Sequence, residues 1–237
     1  MADKQQQQPK HRWRWFWTTI FIILIIISLG LIFNEQIKNW LISSYQPQIS
    51  KKTVQKNEKK KASYDFSKVK SLDFSTVANA RWNTADIHVV GEIYMPQSKI
   101  HLPIAKGVSN EVLALTAGTM RPDQQMGRGN YPLAGHHMSS QTILFSPLYW
   151  KTRVGQKIYL TNAKKVFVYK VSVRKFIPAT DVKVVDQTKK TMVTLITCDA
   201  TGANRLMIRG NYVKQMAYKD APVSVQKGFH SGFNNKN

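Results

Sequence analysis

Cysteine is almost absent from this chain of 237 residues, which contains one, Cys198. A single thiol excludes an intramolecular disulfide and any zinc site built from several cysteines. Two interpretations of the thiol stay open at this point: a small hydrophobic side chain in the core, or a reactive group in an exported protein. The choice between them depends on the location of the chain and on the residues beside Cys198.

Acidic residues are also scarce, with 13 aspartates and glutamates against 35 lysines and arginines and a formal net charge of +22. Such an excess favours an anionic partner or anionic surroundings. The recognisable nucleic-acid motifs are missing and the basic residues form no single patch motif, so we predict no nucleic-acid partner. The densest lysine run lies close to an apolar segment, which favours the polyanions and lipids of a membrane or wall.

The longest apolar run, residues 15–33, carries no charge and is long enough for one transmembrane helix. Four lysines and arginines precede it, and by the positive-inside rule they place residues 1–14 in the cytoplasm and the rest of the chain outside. A cleaved signal peptide is the competing interpretation, but the run is longer than the usual apolar region and no A-x-A-like site follows it. We predict a retained, single-pass signal anchor in the cell membrane.

The rest of the chain divides by composition. Residues 34–62 are polar and include the lysine run KKTVQKNEKKK, and such a composition cannot bury enough apolar surface to fold alone. We therefore predict an extracellular stalk over residues 34–62, a folded domain over residues 63–226 and a polar, frayed tail over residues 227–237.

The pattern after Arg81 is that of a β protein. Short segments rich in β-branched and aromatic residues are separated by turn signals. They are ADIHVVGEIYMP, KIHLPIAKG, YPLAGHH, QKIYLTN, KVFVYKVSVRKFIP, TMVTLITC and RLMIRGNYV. So many short strands favour a closed or sandwich-like β fold. Short helices are predicted for YDFSKVKSL, NEVLALTAG and SSQTILFSPLYW, the last with Ser139 or Ser140 as its N-cap.

A lone cysteine becomes a nucleophile when a base or a cation favours its thiolate, so the histidines come next. Two of the six, His88 and His101, lie in alternating strand patterns that predict half-exposed structural side chains. The pair in LAGHHM, His136 and His137, follows a strand at a glycine, where loop-borne functional groups tend to project. Zinc is not favoured, because adjacent strand residues face opposite sides and no third ligand lies at a familiar spacing.

The segment TLITCDATGANR predicts a strand that ends at Cys198, a short loop, and a return strand that begins at Arg205. This arrangement brings the thiol and a guanidinium to neighbouring edges of one sheet. Arginine stays protonated and presents fixed donors, which suits it to stabilising an oxyanion. Arg209 is the competing candidate, and it lies farther along the same face of the strand.

These residues resemble the class A sortases of Gram-positive bacteria. The resemblance rests on TLITC followed by an arginine, on GHHM upstream, and on the blocks GEIYMPQSKIHLPIAKG, LTAGTMRPDQQMGRGNYPLAGHHM and ATDVKVVD. It extends over residues 64–225 and includes the N-terminal anchor. It implies a mainly β fold, a closed eight-stranded sortase-type barrel with a few short helices, preceded by the transmembrane helix.

The resemblance also implies a reaction and its residues. A sortase cleaves an LPxTG-type sorting signal of a secreted protein between Thr and Gly through a thioester, and transfers the protein to an amine of the lipid II type of peptidoglycan precursor. By motif position, Cys198 matches the nucleophile, His136 the catalytic histidine and Arg205 the catalytic arginine. His137 matches a histidine found in part of the family. The positions that match the substrate groove are Ala134, Thr194, Ile196, Val182, Val184 and Val185.

The loop before the histidines departs from the calcium-dependent members of the family. Those members have a cluster of acidic residues there, whereas MRPDQQMGRG contains Asp123 alone. A useful calcium site needs several oxygen ligands. We therefore predict no metal, no cofactor and calcium-independent activity.

Three other functions are alternatives to this interpretation. A papain-like wall hydrolase has its cysteine before its histidine and at the start of a helix, which is the opposite of the order here. A sortase that polymerises pilins uses a lysine side chain as the acceptor and often carries a lid over its site, for which no insertion is evident. A non-enzymatic, membrane-anchored wall-binding module would need only the basic charge and the stalk.

Overall fold

The structure is a computed structural model that describes residues 10–199 and 201–236. It divides into two units, residues 1–37 and residues 38–237, which are described separately. The described part of the first unit contains helix α1, Lys10–Ile32. Within α1, Trp13–Ile32 is a stretch of 20 residues that is long and apolar enough to cross a membrane. The predicted span therefore coincides with a continuous helix, apart from its last residue.

The second unit is built on a closed barrel of eight strands in the order β1-β2-β3-β4-β7-β8-β6-β5. This confirms the predicted fold. The strands are β1 Val89–Met95, β2 Ile100–Ala105, β3 Ala117–Thr119, β4 Asn130–Ala134, β5 Lys157–Thr161, β6 Lys165–Pro178, β7 Met192–Cys198 and β8 Asn204–Ala217. Each predicted strand segment overlaps one of them, and only the short β3 begins in a segment predicted as helix.

Short helices cover and connect the strands. They are α2 Asn34–Ser43, α3 Lys51–Glu58, α4 Phe74–Trp82, α5 Asn110–Leu115, α6 Ser146–Lys151 and α7 Val223–Phe229. The helix predicted for residues 64–72 is a single 3-10 turn, Phe66–Lys68. The helix predicted with Ser139 or Ser140 as its cap begins only at Ser146, where a proline occupies its first turn.

The register of strands β4, β7 and β8 determines where the candidate site residues lie. Strand β4 is parallel to β7, with Ala134 opposite Ile196, and β7 is antiparallel to β8, with Cys198 opposite Arg205. Because β4 and β7 run in the same direction, their carboxyl ends meet at one edge of the barrel. Side chains alternate along β7, so Leu195 packs in the barrel core while Ile196 belongs to a separate cluster on the outer side.

The segment predicted as a stalk is part of the folded unit. The second unit begins at Lys38 rather than at residue 63. Ile42 and Tyr45 are 0% and 6% exposed and belong to the main core cluster, and Val54 of α3 is 2% exposed. The average composition of residues 34–62 is polar, but Ile42, Tyr45 and Val54 supply the buried apolar contacts that tie residues 38–62 to the second unit. The prediction of a separate stalk is wrong from Lys38 onward.

The C-terminal residues are also packed, as far as Asn235. Phe233 and Asn234 are buried. Asn234 Nδ2 donates to the carbonyl of Ile42 at 2.9 Å, and Asn235 Nδ2 donates to the carbonyl of Leu144 at 2.8 Å. The predicted frayed tail is therefore wrong, because asparagine amides satisfy backbone carbonyls that a less polar segment would leave unpaired.

Candidate active site

Cys198 lies at the barrel edge where β7 ends. It is half-buried, and its cross-strand partner in β8 is Arg205. The turn between the two strands is organised by Asp199, whose carboxylate accepts hydrogen bonds from the backbone N–H of Thr201 at 3.0 Å and of Asn204 at 3.2 Å. The strand and return strand follow the prediction, and they place Cys198 and Arg205 opposite each other in the sheet.

His136 reaches the same edge from the end of β4. The N–H of Gly135 donates to the carbonyl of Ile196 at 3.1 Å, and the carbonyl of His136 accepts from the N–H of Phe145 at 3.1 Å. A Cβ atom at Gly135 would lie 2.6 Å from the Phe145 ring. Only glycine allows this close approach, which explains the residue that precedes the histidine.

Burial determines the protonation state of His136. The side chain is half-buried, and burial lowers the pKa of His136 from its ordinary 6.5 to about 4. Within the described residues, no carboxylate forms an ion pair with His136 that would offset this effect. The imidazole is therefore neutral at pH 7 and is able to accept a proton.

A groove of about 330 Å³ opens beside these three side chains, and His136, Cys198 and Arg205 all contribute to its lining. The predicted residues Ala134, Ile196, Val182, Val184 and Val185 line it as well. The rest of the lining is mostly apolar and includes Phe66, Val69, Leu113, Met120, Ile177 and Pro178.

Several of these lining residues were missed by the sequence analysis. Phe66 and Val69 lie in the segment before α4, and Leu113 lies in α5. Their apolar character was visible in the sequence, but their place beside Cys198 depends on packing between distant parts of the chain. No local pattern carries that information.

Thr194 is the one predicted groove residue that does not line the groove. It is 0% exposed, and its hydroxyl donates to Asn130 Oδ1 at 2.8 Å. Alternation places Thr194 on the same face of β7 as Ile196, but the side chain of Asn130 covers it. The assignment of Thr194 to the groove surface is therefore corrected.

A second cavity, of about 460 Å³, also includes His136, Cys198 and Arg205 in its lining. The remaining lining differs from that of the groove, since it contains Lys70, His137 and Asp199. The ring of His137 is stacked on Tyr149, with centroids 5.2 Å apart and an interplanar angle of 17°. The three candidate catalytic side chains thus adjoin one apolar space and one polar space.

The competing arginine lies elsewhere. Arg209 is paired with Thr194 in the sheet register and lines neither cavity. Arg205 lines both, and its Nη1 donates to the carbonyls of Gly202 at 2.9 Å and Asn204 at 3.1 Å. These bonds hold the guanidinium at the mouth of the turn, so the geometry favours Arg205 over Arg209.

A closed β-barrel with cysteine, histidine and arginine at one edge of a groove defines a cysteine-dependent transferase, and comparison with known proteins agrees. A model of the sortase domain matches residues 93–213. The sortase A of Streptococcus agalactiae serotype III (strain NEM316) is 38% identical over 221 residues, covering 88% of this chain and 89% of the relative. The sortase A of Listeria monocytogenes serovar 1/2a is 41% identical over 174 residues, covering 71% and 78%.

A solved structure of Listeria monocytogenes sortase A superposes with a TM-score of 0.56 at 40% identity, covering 60% of this chain and 98% of that one. The chain belongs to the sortase family, in class A, and is a cysteine transpeptidase. The papain-like hydrolase and the non-enzymatic wall-binding module are therefore not retained.

Proposed function

We propose that this transpeptidase cleaves an LPxTG-type sorting signal between Thr and Gly and transfers the secreted protein to an amine of a peptidoglycan precursor of the lipid II type. The observation that carries the proposal is that His136, Cys198 and Arg205 line an apolar groove and a polar cavity together. The leucine and proline of the signal suit the apolar groove. The polar cavity suits an amine, first as the leaving group and then as the acceptor.

The first half of the reaction forms a thioester. The thiol of Cys198 gives its proton to His136, and the sulfur attacks the carbonyl carbon of the threonine. Negative charge develops on the carbonyl oxygen, where the guanidinium of Arg205 stabilises it. The C–N bond then breaks as His136 returns the proton to the departing glycine amine.

The second half releases the product. A neutral acceptor amine attacks the thioester carbonyl, and His136 takes the proton that the nitrogen loses as the new amide forms. The C–S bond breaks, and the proton on His136 returns to the Cys198 sulfur. The free enzyme is regenerated without any cofactor.

Burial of His136 bears on the rate of this cycle. With a pKa of about 4, the imidazolium is a minor species at pH 7, so the resting enzyme holds little of the protonated general acid. We expect slow turnover for this reason, even with a complete set of catalytic groups.

The proposed location follows from α1. A helical stretch of 20 residues that is apolar enough to cross a membrane, with a basic N-terminus, supports a single membrane span, with residues 1–14 in the cytoplasm and the barrel outside. Protease added to intact protoplasts should then digest the second unit and spare the N-terminus. Protection of the barrel under those conditions would overturn this topology.

Calcium independence is supported by the contacts of Asp123. Arg121 donates to both of its carboxylate oxygens, from Nε at 2.9 Å and from Nη2 at 3.0 Å. Nη1 of Arg121 lies 3.5 Å from Asp186 Oδ1 in the loop after β6. A guanidinium thus occupies the position between these two acidic side chains that a cation would need.

The full chain in detergent, a fluorescent LPxTG peptide and an amine acceptor test the function. Wild-type protein should yield the transfer product and a trapped acyl group on Cys198 by mass spectrometry, whereas Cys198→Ala should yield neither. A lysine-bearing peptide offered in competition tests the pilin-polymerising alternative, because preferential transfer to the lysine side chain would favour it. Absence of both cleavage and acylation in the wild type would contradict the proposal.

A further inference from the structure

A buried amide lies behind one wall of the groove. Asn130, the first residue of β4, is 0% exposed. Its Oδ1 accepts the hydroxyl of Thr194 at 2.8 Å, and its Nδ2 donates to the carbonyls of Val184 and Asp186, both at 3.0 Å. One side chain therefore joins β4 and β7 to the loop that follows β6.

The backbone of Asn130 strengthens this connection. Its N–H donates to Gln187 Oε1 at 3.2 Å, and its carbonyl accepts from Gln187 Nε2 at 3.1 Å. The two residues thus bind each other reciprocally, and Gln187 directly follows the segment that Asn130 holds. Residues 184–187 are fastened to the start of β4 by side-chain and main-chain bonds together.

The fastened segment forms part of the groove. The 3-10 turn Val182–Val185 supplies three side chains to the groove lining, and it has no side-chain cap of its own. Val184 and Val185 also pack against a small cluster that includes Ile196. Apolar packing keeps the turn close to the barrel, but directional hydrogen bonds are needed to fix its position along the groove.

We propose that Asn130, oriented by Thr194, is a positioning residue that sets the groove wall for the acyl-donor peptide. It lines neither cavity, so it acts on the substrate through the Val182–Val185 turn. The assignment rests on the proposed function, in which this groove binds the sorting signal. It also gives Thr194 a role that fits its burial.

The variant Asn130→Asp keeps the shape and the acceptor for Thr194 but replaces the donor that faces two carbonyls. We expect KM for the LPxTG peptide to rise about tenfold or more, because a buried hydrogen bond is replaced by an unfavourable contact, while kcat changes by less than about threefold. Asn235→Asp is the matched control, since Asn235 also donates from a buried amide to a distant carbonyl, that of Leu144.

A second pair of variants covers the case in which Asn130→Asp fails to fold. Thr194→Val removes the hydroxyl that orients Asn130 and should raise KM for the LPxTG peptide. Thr194→Ser keeps the hydroxyl, so its KM should be close to the wild-type value. Thr116→Val is the matched control, because Thr116 is 0% exposed and donates its hydroxyl at 2.7 Å to a carbonyl within α5. The control should leave KM unchanged.

Two readouts do not depend on the peptide. In the full chain in detergent, Asn130→Asp should accelerate amide hydrogen exchange over residues 182–187, while the rate of Cys198 alkylation by iodoacetamide stays at the wild-type value. Lower kcat at unchanged KM, equal effects in the Asn235 or Thr116 controls, or unchanged exchange would each overturn the positioning role. A wild type that does not cleave the peptide would refute the proposed function, and exchange would still decide the role of Asn130.

Discussion

Two histidines of this barrel show how differently the same side chain is used. His101 is 0% exposed, its Nε2 lies 3.0 Å from Glu92 Oε2, and its ring packs 4.4 Å from that of Phe233. His136 is half-buried at the end of a strand, lines two cavities and has no carboxylate partner within the described residues.

The comparison shows which of the two histidines is available for catalysis. A buried imidazole that is paired with a carboxylate cannot reach a substrate, and removing one partner of such a pair is destabilising. A half-buried imidazole that lines a groove has its pKa lowered by burial, and without a carboxylate partner it stays available to the substrate. The sequence analysis predicted His101 in a strand and His136 just after one, but it expected His101 to be half-exposed, which the structure corrects.

The largest expected effects on activity and stability come from substituting the two histidines. His136→Gln should lower kcat/KM by about 10²- to 10⁴-fold through loss of general acid–base catalysis, with little change in the free energy of unfolding. His101→Gln should lower the free energy of unfolding and leave kcat of the folded fraction close to the wild-type value. Peptide kinetics and urea unfolding of both variants measure this contrast, and similar profiles for the two would break it.

The next effect separates the two arginines of β8. Arg205→Ala should lower kcat by about 10²- to 10³-fold, as expected for loss of one oxyanion donor, yet leave activity measurable above Cys198→Ala. Arg209→Ala should retain most of the activity, because Arg209 lines neither cavity. An inactive Arg209→Ala beside a fully active Arg205→Ala would show that the wrong arginine has been assigned.

A smaller effect concerns pH. The pKa of His136 is about 4 in the folded chain, and its ordinary value is 6.5, so the unfolded chain binds the extra proton between these values. The contribution of His136 therefore lowers the free energy of unfolding as pH falls from 6.5 to about 4. This slope should be shallower in His136→Gln, measured by urea unfolding across that range.

The pH dependence of wild-type kcat/KM tests the lowered pKa of His136 independently. The acid limb of the kcat/KM profile should lie near pH 4 rather than near 6.5, because this profile reports the free enzyme. An acid limb near 6.5 would show that the imidazole is better solvated than the structure indicates. Identical unfolding slopes in wild type and His136→Gln would lead to the same conclusion.

The smallest expected effect is that of calcium. Addition of calcium or of a chelator should change the transfer rate by less than about twofold, because Asp123 already accepts two hydrogen bonds from Arg121. Arg121→Ala is the informative variant, since it frees Asp123 and Asp186 together. A several-fold rate increase on adding calcium to the wild type would contradict the prediction.

Much of the site was predictable because its signals are local. Strand alternation, a turn composition and a glycine before two histidines are written in consecutive residues, and they placed Cys198, His136 and Arg205 on the elements where the structure has them. The β class was equally accessible, since short strands separated by turn signals favour a closed or sandwich-like fold, and the resemblance to sortases selected the closed barrel.

The sequence did not predict which side chains are buried by residues distant in the chain. Alternation assigned Thr194 to the correct face of β7 but carried no information on Asn130, which lies 64 residues earlier and buries it. In the same way, composition described residues 34–62 as a solvated stalk, although Ile42 and Tyr45 complete the barrel core. Both errors come from long-range packing, which overrides local propensity.

The register of β7 has a consequence for how this enzyme tolerates insertions and deletions. Thr197 lies between the two outward residues Ile196 and Cys198 and is 2% exposed. Gain or loss of one residue within β7 would turn the sulfur toward the sealed centre of the barrel and bring a threonine to the rim in its place. A change in the length of β7 should therefore harm catalysis more than a change in its hydrophobicity.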